Sequence, residues 1–150
     1  MGTRADFYIG RGVDAQWLGS IAWDGYPTGI VSEFDSELFN ATTPEEFASV
    51  TAERLATRED GTTPEMGWPW PWTTSHTTDY AYAFDDGQVW ACCSGGAWAP
   101  AKEWFNADDS GDRDFTPEGE PAIFPDMSEQ KNVALGSRSG VIFVRPKSDG

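Results

Sequence analysis

The stretch Met66-Gly67-Trp68-Pro69-Trp70-Pro71-Trp72 constrains the fold more than any other part of the chain. A residue before proline is pushed out of the helical region into an extended conformation. Each proline fixes its own φ and offers no N–H. Residues 68–72 are therefore extended, yet they cannot form a central strand, which needs donors along both edges. As a β-like segment the three indoles share one face; as polyproline II they splay around the axis. Either way the stiff backbone lowers the entropy lost on fixing the rings. Two uses follow. The segment is a stacking platform for sugar rings or bases, or it is a lid whose indoles cover an open face or edge of a sheet.

Composition favours the lid. Hydrophobic residues make up 39% of the chain, but 14% of all residues are aromatic. Each buried aromatic side chain removes roughly 150–250 Å² from water, so Trp, Phe and Tyr can build a core with few aliphatics. A base-stacking site is usually surrounded by cations. Here the nearest bases in sequence are Arg58 and Lys102, and the neighbours are acidic. The expectation is mainly core, with room for one indole at the surface.

The rest of the pattern implies an α+β fold: one mostly antiparallel sheet of about five strands packed against one or two helices. Residues 3–10 alternate, with Ala5, Phe7 and Ile9 on one face and Arg4, Asp6 and Tyr8 on the other, which predicts a half-buried strand. Residues 17–23 return as its hairpin partner. Residues 77–84 and 88–93 form a second hairpin around Asp85-Asp86-Gly87. Tyr80, Tyr82 and Phe84 share one face there, Ala81 and Ala83 the other. Val141–Val144 reads as a last, central strand. Ile30, Phe34 and Leu38 recur every four residues, which suits a short helix. Thr43-Pro44-Glu45-Glu46 sets a helix start with an N-cap Thr, a Pro at the first position and a capping-box Glu. A helix over about 44–58 follows. Residues 106–120 are acidic and rich in Gly and Pro, and are expected to form an exposed, mobile loop of the single 1–150 domain.

Net charge is −15, with acids spread over the middle of the chain and a mildly basic tail from residue 130. Such a chain is repelled by phosphate backbones and anionic lipid and attracted to basic surfaces. Direct nucleic-acid and membrane binding are excluded on this ground. The two cysteines, Cys92 and Cys93, are adjacent, so their side chains diverge on a strand and no disulfide framework exists. With no apolar leader, no myristoylation pattern and no membrane-length apolar run, a cytoplasmic protein is expected.

The reactive inventory is thin. His76 is the only histidine, and no nucleophile elbow or Cys–His signature accompanies it. One His and two adjacent Cys are too few soft ligands for zinc. Two acids such as Asp24 and Asp79 without geometry are no evidence for a glycosidase. Asn106, Asp108, Ser110, Gly111, Asp112 and Asp114 follow the spacing of a calcium loop. The closing carboxylate is out of register, with Pro117 at its place and Glu118 one residue late, which favours a solvated acidic loop. No cofactor, metal site or catalytic residue is assigned.

The blocks TRADFYIGRG, WLGSIAWDGYP, TTPEMGWPWPW, TDYAYAF and FPDMSEQKNVALGSRSGV resemble small acidic proteins of unassigned function encoded in phages, prophages and bacterial mobile elements. The resemblance transfers no site residues. It implies a context in which small acidic proteins often inhibit host defence systems, anti-CRISPR proteins among them. The leading expectation is a non-enzymatic protein that places an acidic surface on a basic, nucleic-acid-binding site of a host protein. The candidate residues are Glu33, Asp35, Glu37, Glu45, Glu46 and Glu53, then Glu59 and Asp60 past the helix, and Asp108, Asp109, Asp112 and Asp114 in the loop. One alternative is a small-ligand or carbohydrate module using Trp68, Trp70 and Trp72 with Tyr26 or His76. Another is a structural or assembly protein of a virion.

Overall fold

The alternating segment at the N-terminus forms strand β1 (Ala5–Ile9), which pairs antiparallel with β2 (Gln16–Ile21). A second antiparallel hairpin joins β3 (Tyr80–Asp85) to β4 (Gln88–Cys93). Its two-residue turn has positive φ at both Asp86 (52°) and Gly87 (80°), the primed geometry that matches strand twist. These coordinates are a computed structural model that describes residues 2–130. The hairpins associate through parallel pairing of β1 with β3, and a short β5 (Ala99–Pro100) flanks β4. The order is β2-β1-β3-β4-β5, one mixed, mostly antiparallel sheet. The strand expected at Val141–Val144 lies outside the described residues. Among the described residues the fifth strand is Ala99–Pro100.

The helices pack on the Phe7 face. Helix α1 is one turn, Pro27–Gly29, running into a π-helical turn over Ile30–Phe34, closed by Asp35 N–H donating to the Ile30 carbonyl at 2.8 Å. The predicted helix across Ile30–Leu38 is therefore corrected. Asp35 is extended and a 3₁₀ turn follows at Leu38–Asn40, although Ile30, Phe34 and Leu38 are all buried as their spacing implied. Helix α2 (Pro44–Thr57) starts where the capping signal placed it. Thr43 Oγ1 accepts from Glu46 N–H at 3.1 Å. The reciprocal half is displaced by one residue: Glu46 Oε1 accepts from Thr42 N–H at 3.0 Å rather than from Thr43.

Helix α3 (Ala101–Ser110) corrects the expectation of a loop from 106. Its buried stripe is Ala101, Trp104 and Ala107, and Gly111 closes it in the left-handed conformation at φ 79°. A buried stripe of two small alanines and one tryptophan gave only a weak apolar period in the sequence. The residues beyond are tethered by Phe115, whose ring meets Trp104 edge-on at 4.8 Å.

The half-buried reading of β1 is also corrected. Its Phe7 side packs with Tyr82, Phe34, Phe47 and Leu55 under the helices. Its Tyr8 side packs with Trp17, Trp68, Ala83, Phe124 and Met127. Both faces are covered because residues 66–78 and 122–127 form a second layer. Cys92 lies in this second core and Cys93 against the first, both as free thiols.

Candidate acidic interface

The candidate acids lie on the helices or on the segments joining them. Glu33, Glu37, Glu45, Glu46, Glu53, Glu59, Asp108, Asp109, Asp112 and Asp114 are exposed, and Asp35 and Asp60 are not. Several also hold nearby groups in place. Asp35 accepts from Arg54 Nε at 3.0 Å, and its side chain is only 11% exposed. Glu37 accepts from Asn40 at 3.0 Å. Glu46 holds Thr42. Asp108 Oδ2 accepts from Thr28 N–H at 3.0 Å and from its hydroxyl at 2.7 Å, tying α3 to α1. Asp112 Oδ1 accepts from Asp114 N–H at 3.0 Å.

Asp60 does not belong to the surface set, although Glu59 beside it is exposed. The Asp60 side chain is 1% exposed and meets Arg58 Nε at 2.7 Å. It also accepts the backbone N–H groups of Ala22 and Trp23 at 3.0 and 2.9 Å. Burial pushes its carboxyl up, but Arg58 and the two N–H donors outweigh that and hold it below the ordinary value. Arg58 reaches on to Asp24 at 3.2 Å. The sequence placed Asp60 just past α2 and had no means of showing that the chain folds back onto β2 there.

The arginines are largely neutralised. Arg4 pairs with Asp79 and Arg11 with Asp85, at 3.1 and 2.9 Å. Arg11 also stacks over Trp90 at 3.9 Å. Among the described residues, Lys102 and Arg113 are the side-chain cations with no ion pair. The acids are not confined to the helices: Glu65, Glu118, Glu120 and Glu129 are exposed elsewhere.

The tryptophan segment is a lid over the Tyr8 face. Trp68 is fully buried, and its Nε1 donates to the Trp72 carbonyl at 2.6 Å. Trp70 and Trp72 are half-buried and stack on each other at 5.6 Å, and the Arg4 guanidinium sits over Trp72. The residue that fastens this lid was missed by sequence reading. Asp6 is fully buried at the centre of the sheet. It accepts from Ser20 Oγ at 2.5 Å, Ser75 Oγ at 2.6 Å and Trp70 Nε1 at 2.7 Å, with Thr78 as a further donor. Behind these stand more donors. Trp17 Nε1 donates to Ser20 at 3.1 Å, Trp72 Nε1 to Thr78 at 2.9 Å, and the Tyr8 hydroxyl shares a hydrogen with Ser75 at 2.6 Å. Burial raises the Asp6 carboxyl above its ordinary value, while the four donors pull it back part of the way. One carboxyl thus gathers two strands, the lid and the loop behind it.

His76 does not face this network. Its Nε2 bonds the Ala122 carbonyl at 2.8 Å and its Nδ1 the Thr74 hydroxyl at 2.9 Å, and its ring meets Phe124 edge-on. The calcium-loop spacing does not make a loop, because Asn106 and Asp108 lie on α3. Among the described residues no three His, Cys, Asp or Glu side chains stand together as a metal site, and no helix is long and apolar enough to cross a membrane. No family model, no curated protein and no solved structure matches this chain.

Proposed function

We propose that the chain is a non-catalytic binding protein that presents its acidic helical layer to a basic, nucleic-acid-binding surface on another protein. The observation that carries this reading is the sorting of charge in that layer. Glu33, Glu45, Glu53 and Asp109 project outward, while Arg54 and Arg58 are drawn into ion pairs with Asp35, Asp24 and Asp60. Negative charge is thus displayed around α2 beside cations already paired, while Lys102 and Arg113 near α3 stay unpaired among the described residues. The resemblance to phage-encoded acidic proteins supplies a context, inhibition of a host defence protein. A sugar or base platform at Trp68, Trp70 and Trp72 is disfavoured, since their N–H groups and several ring faces serve the lid.

Charge reversal separates the helical layer from general acidity. A variant carrying Glu33→Lys, Glu45→Lys and Glu53→Lys is compared with a control carrying Glu65→Lys, Glu118→Lys and Glu120→Lys. Each serves as bait in bacterial lysate at low and high salt, followed by competition with nucleic acid for whatever protein is retained. The expected partner binds wild type and the control but not the helical variant. Its association slows as salt rises, and nucleic acid displaces it. Equal retention by both variants, or binding indifferent to salt, removes the proposal.

A further inference from the structure

A cavity of about 430 Å³ opens between the end of α3, β4 and residues 111–117. Its apolar walls include the rings of Tyr80, Trp104 and Phe115. Tyr80 and Trp104 stand at 90° with centroids 5.9 Å apart, and Trp104 and Phe115 at 82° and 4.8 Å. The Trp104 Nε1–H is already given to the Ala91 carbonyl at 2.7 Å, so toward the cavity this indole offers only π surface and carbon. Gly111 leaves open space where a side chain would stand.

The charged groups on the lining are Asp108, Asp112 and Arg113. Each aspartate has one oxygen engaged, Asp108 Oδ2 by Thr28 and Asp112 Oδ1 by Asp114, which leaves each with a second oxygen to offer. Arg113 makes no ion pair with either carboxylate among the described residues, and the lining carries two carboxylates against one guanidinium. The Tyr80 phenol is pushed above its ordinary value by burial first, with Cys93 and Asp108 adding to it. Aromatic walls beside two carboxylates and one guanidinium, a net negative lining, favour a cation with an apolar stem. The rings attract the charge through their quadrupoles, and the carboxylates accept its hydrogens.

We propose that this cavity binds an organic cation, an alkylammonium or alkylguanidinium group, with its stem against Trp104 and Phe115 and its charge beside Asp108 and Asp112. Such a group comes either as a free small molecule or as a Lys or Arg side chain of another protein. The proposal shares two aspartates with the acidic layer but rests on the cavity itself. A small-molecule titration decides it without any partner protein, so it and the proposed function can fail separately.

The experiment follows amide and indole N–H resonances of the full chain by NMR. The probes are n-butylguanidinium, its neutral isostere N-butylurea, butyrate, and the capped peptide Gly-Gly-Arg-Gly-Gly. The expected result is saturable shifts by n-butylguanidinium at the Trp104 indole and residues 107–116, with N-butylurea and butyrate at least about tenfold weaker. Asp112→Asn, an exposed substitution that leaves α3 intact, weakens the cation by about tenfold. Phe115→Ala weakens it independently. Binding of the peptide as well assigns a protein side chain as the source, and binding of the free ion alone assigns a small molecule. Equal binding of N-butylurea, an unchanged titration in Asp112→Asn, or shifts scattered over the whole acidic surface overturns the proposal.

Discussion

At the scale of single residues, Asp6 carries more structure than any other side chain in the second core. Every polar neighbour of its carboxyl donates to it or is itself the acceptor of an indole. Asp6→Asn replaces one accepting oxygen with an NH₂ whose two hydrogens face donors, one more than a protonated carboxyl carries, which leaves at least one buried group unpaired. An unsatisfied buried donor costs about 1–3 kcal/mol, so Asp6→Asn is expected to lose about 2 kcal/mol or more and Asp6→Ala more than that. Urea unfolding measures both, and loss of the Trp70 constraint is read in the tryptophan emission. A variant within about 0.5 kcal/mol of wild type would show that a neutral amide serves equally well and that the carboxyl is not the fastening group. The sequence held half of this result. Alternation put Asp6 on the face of Tyr8, and the Trp–Pro pattern announced a lid. What was missing was the long-range fact that the lid covers that face, which turns an ordinary exposed aspartate into the hub of a buried network.

At the scale of elements, Gly19 in β2 shows how one position fixes the approach of a helix to the sheet. Phe7 opposes Gly19 and Tyr8 opposes Trp17, so Leu18 is an extra residue that bulges the strand. Gly19 has φ 137°, and a β-carbon there would run into Leu55 of α2 and the Thr62 carbonyl. That carbonyl accepts from Ser20 N–H at 2.9 Å, the bridge that covers part of the outer edge of β2. Gly19→Ala therefore suffers backbone strain and a clash together. Backbone strain of this kind costs about 1–3 kcal/mol, and the clash adds to it. A thermal shift is the measurement, and a melting temperature equal to wild type would mean that α2 is free to move away. Elements with a strong local code were legible: the two hairpins through alternation and Asp86-Gly87, and α2 through Thr43, Pro44 and the two glutamates. Elements without one were not. Helix α3 hides its buried stripe in two alanines and one tryptophan, and β5 is two residues long and ends in proline. The parallel contact of β1 with β3 is set by how the long connection between β2 and β3 packs, and no residue within either strand encodes it.

At the scale of the whole molecule, charge and burial combine into a definite dependence on pH. A net charge of −15 opposes compaction at neutral pH through self-repulsion. Two buried carboxyls then act with opposite signs. Asp6 has a raised folded value, so its contribution to stability is present below the ordinary aspartate range and is lost as pH rises through the folded value. Asp60 has a lowered folded value, so its contribution is present above that range and is lost as pH falls through the folded value. As pH falls from neutral toward the ordinary aspartate range, self-repulsion and Asp6 both favour a gain in stability. Below the ordinary aspartate value of about 3.9, loss of the Arg58–Asp60–Asp24 cluster reverses it. The melting temperature at low salt is therefore expected to peak between the ordinary aspartate value and neutral pH and to fall on both sides. Added salt should raise it at pH 7 more than at the peak, because repulsion among the exposed acids is largest at pH 7 and is screened. Asp60→Asn should lower stability at pH 7 and make the acid limb shallower, while leaving the rise from pH 7 to the peak in place. A melting temperature that climbs steadily from acid to neutral, or one that ignores salt at pH 7, would mean that the acids are too dispersed to repel. The same dispersion would deprive the helical layer of the field on which its proposed attraction to a basic partner depends.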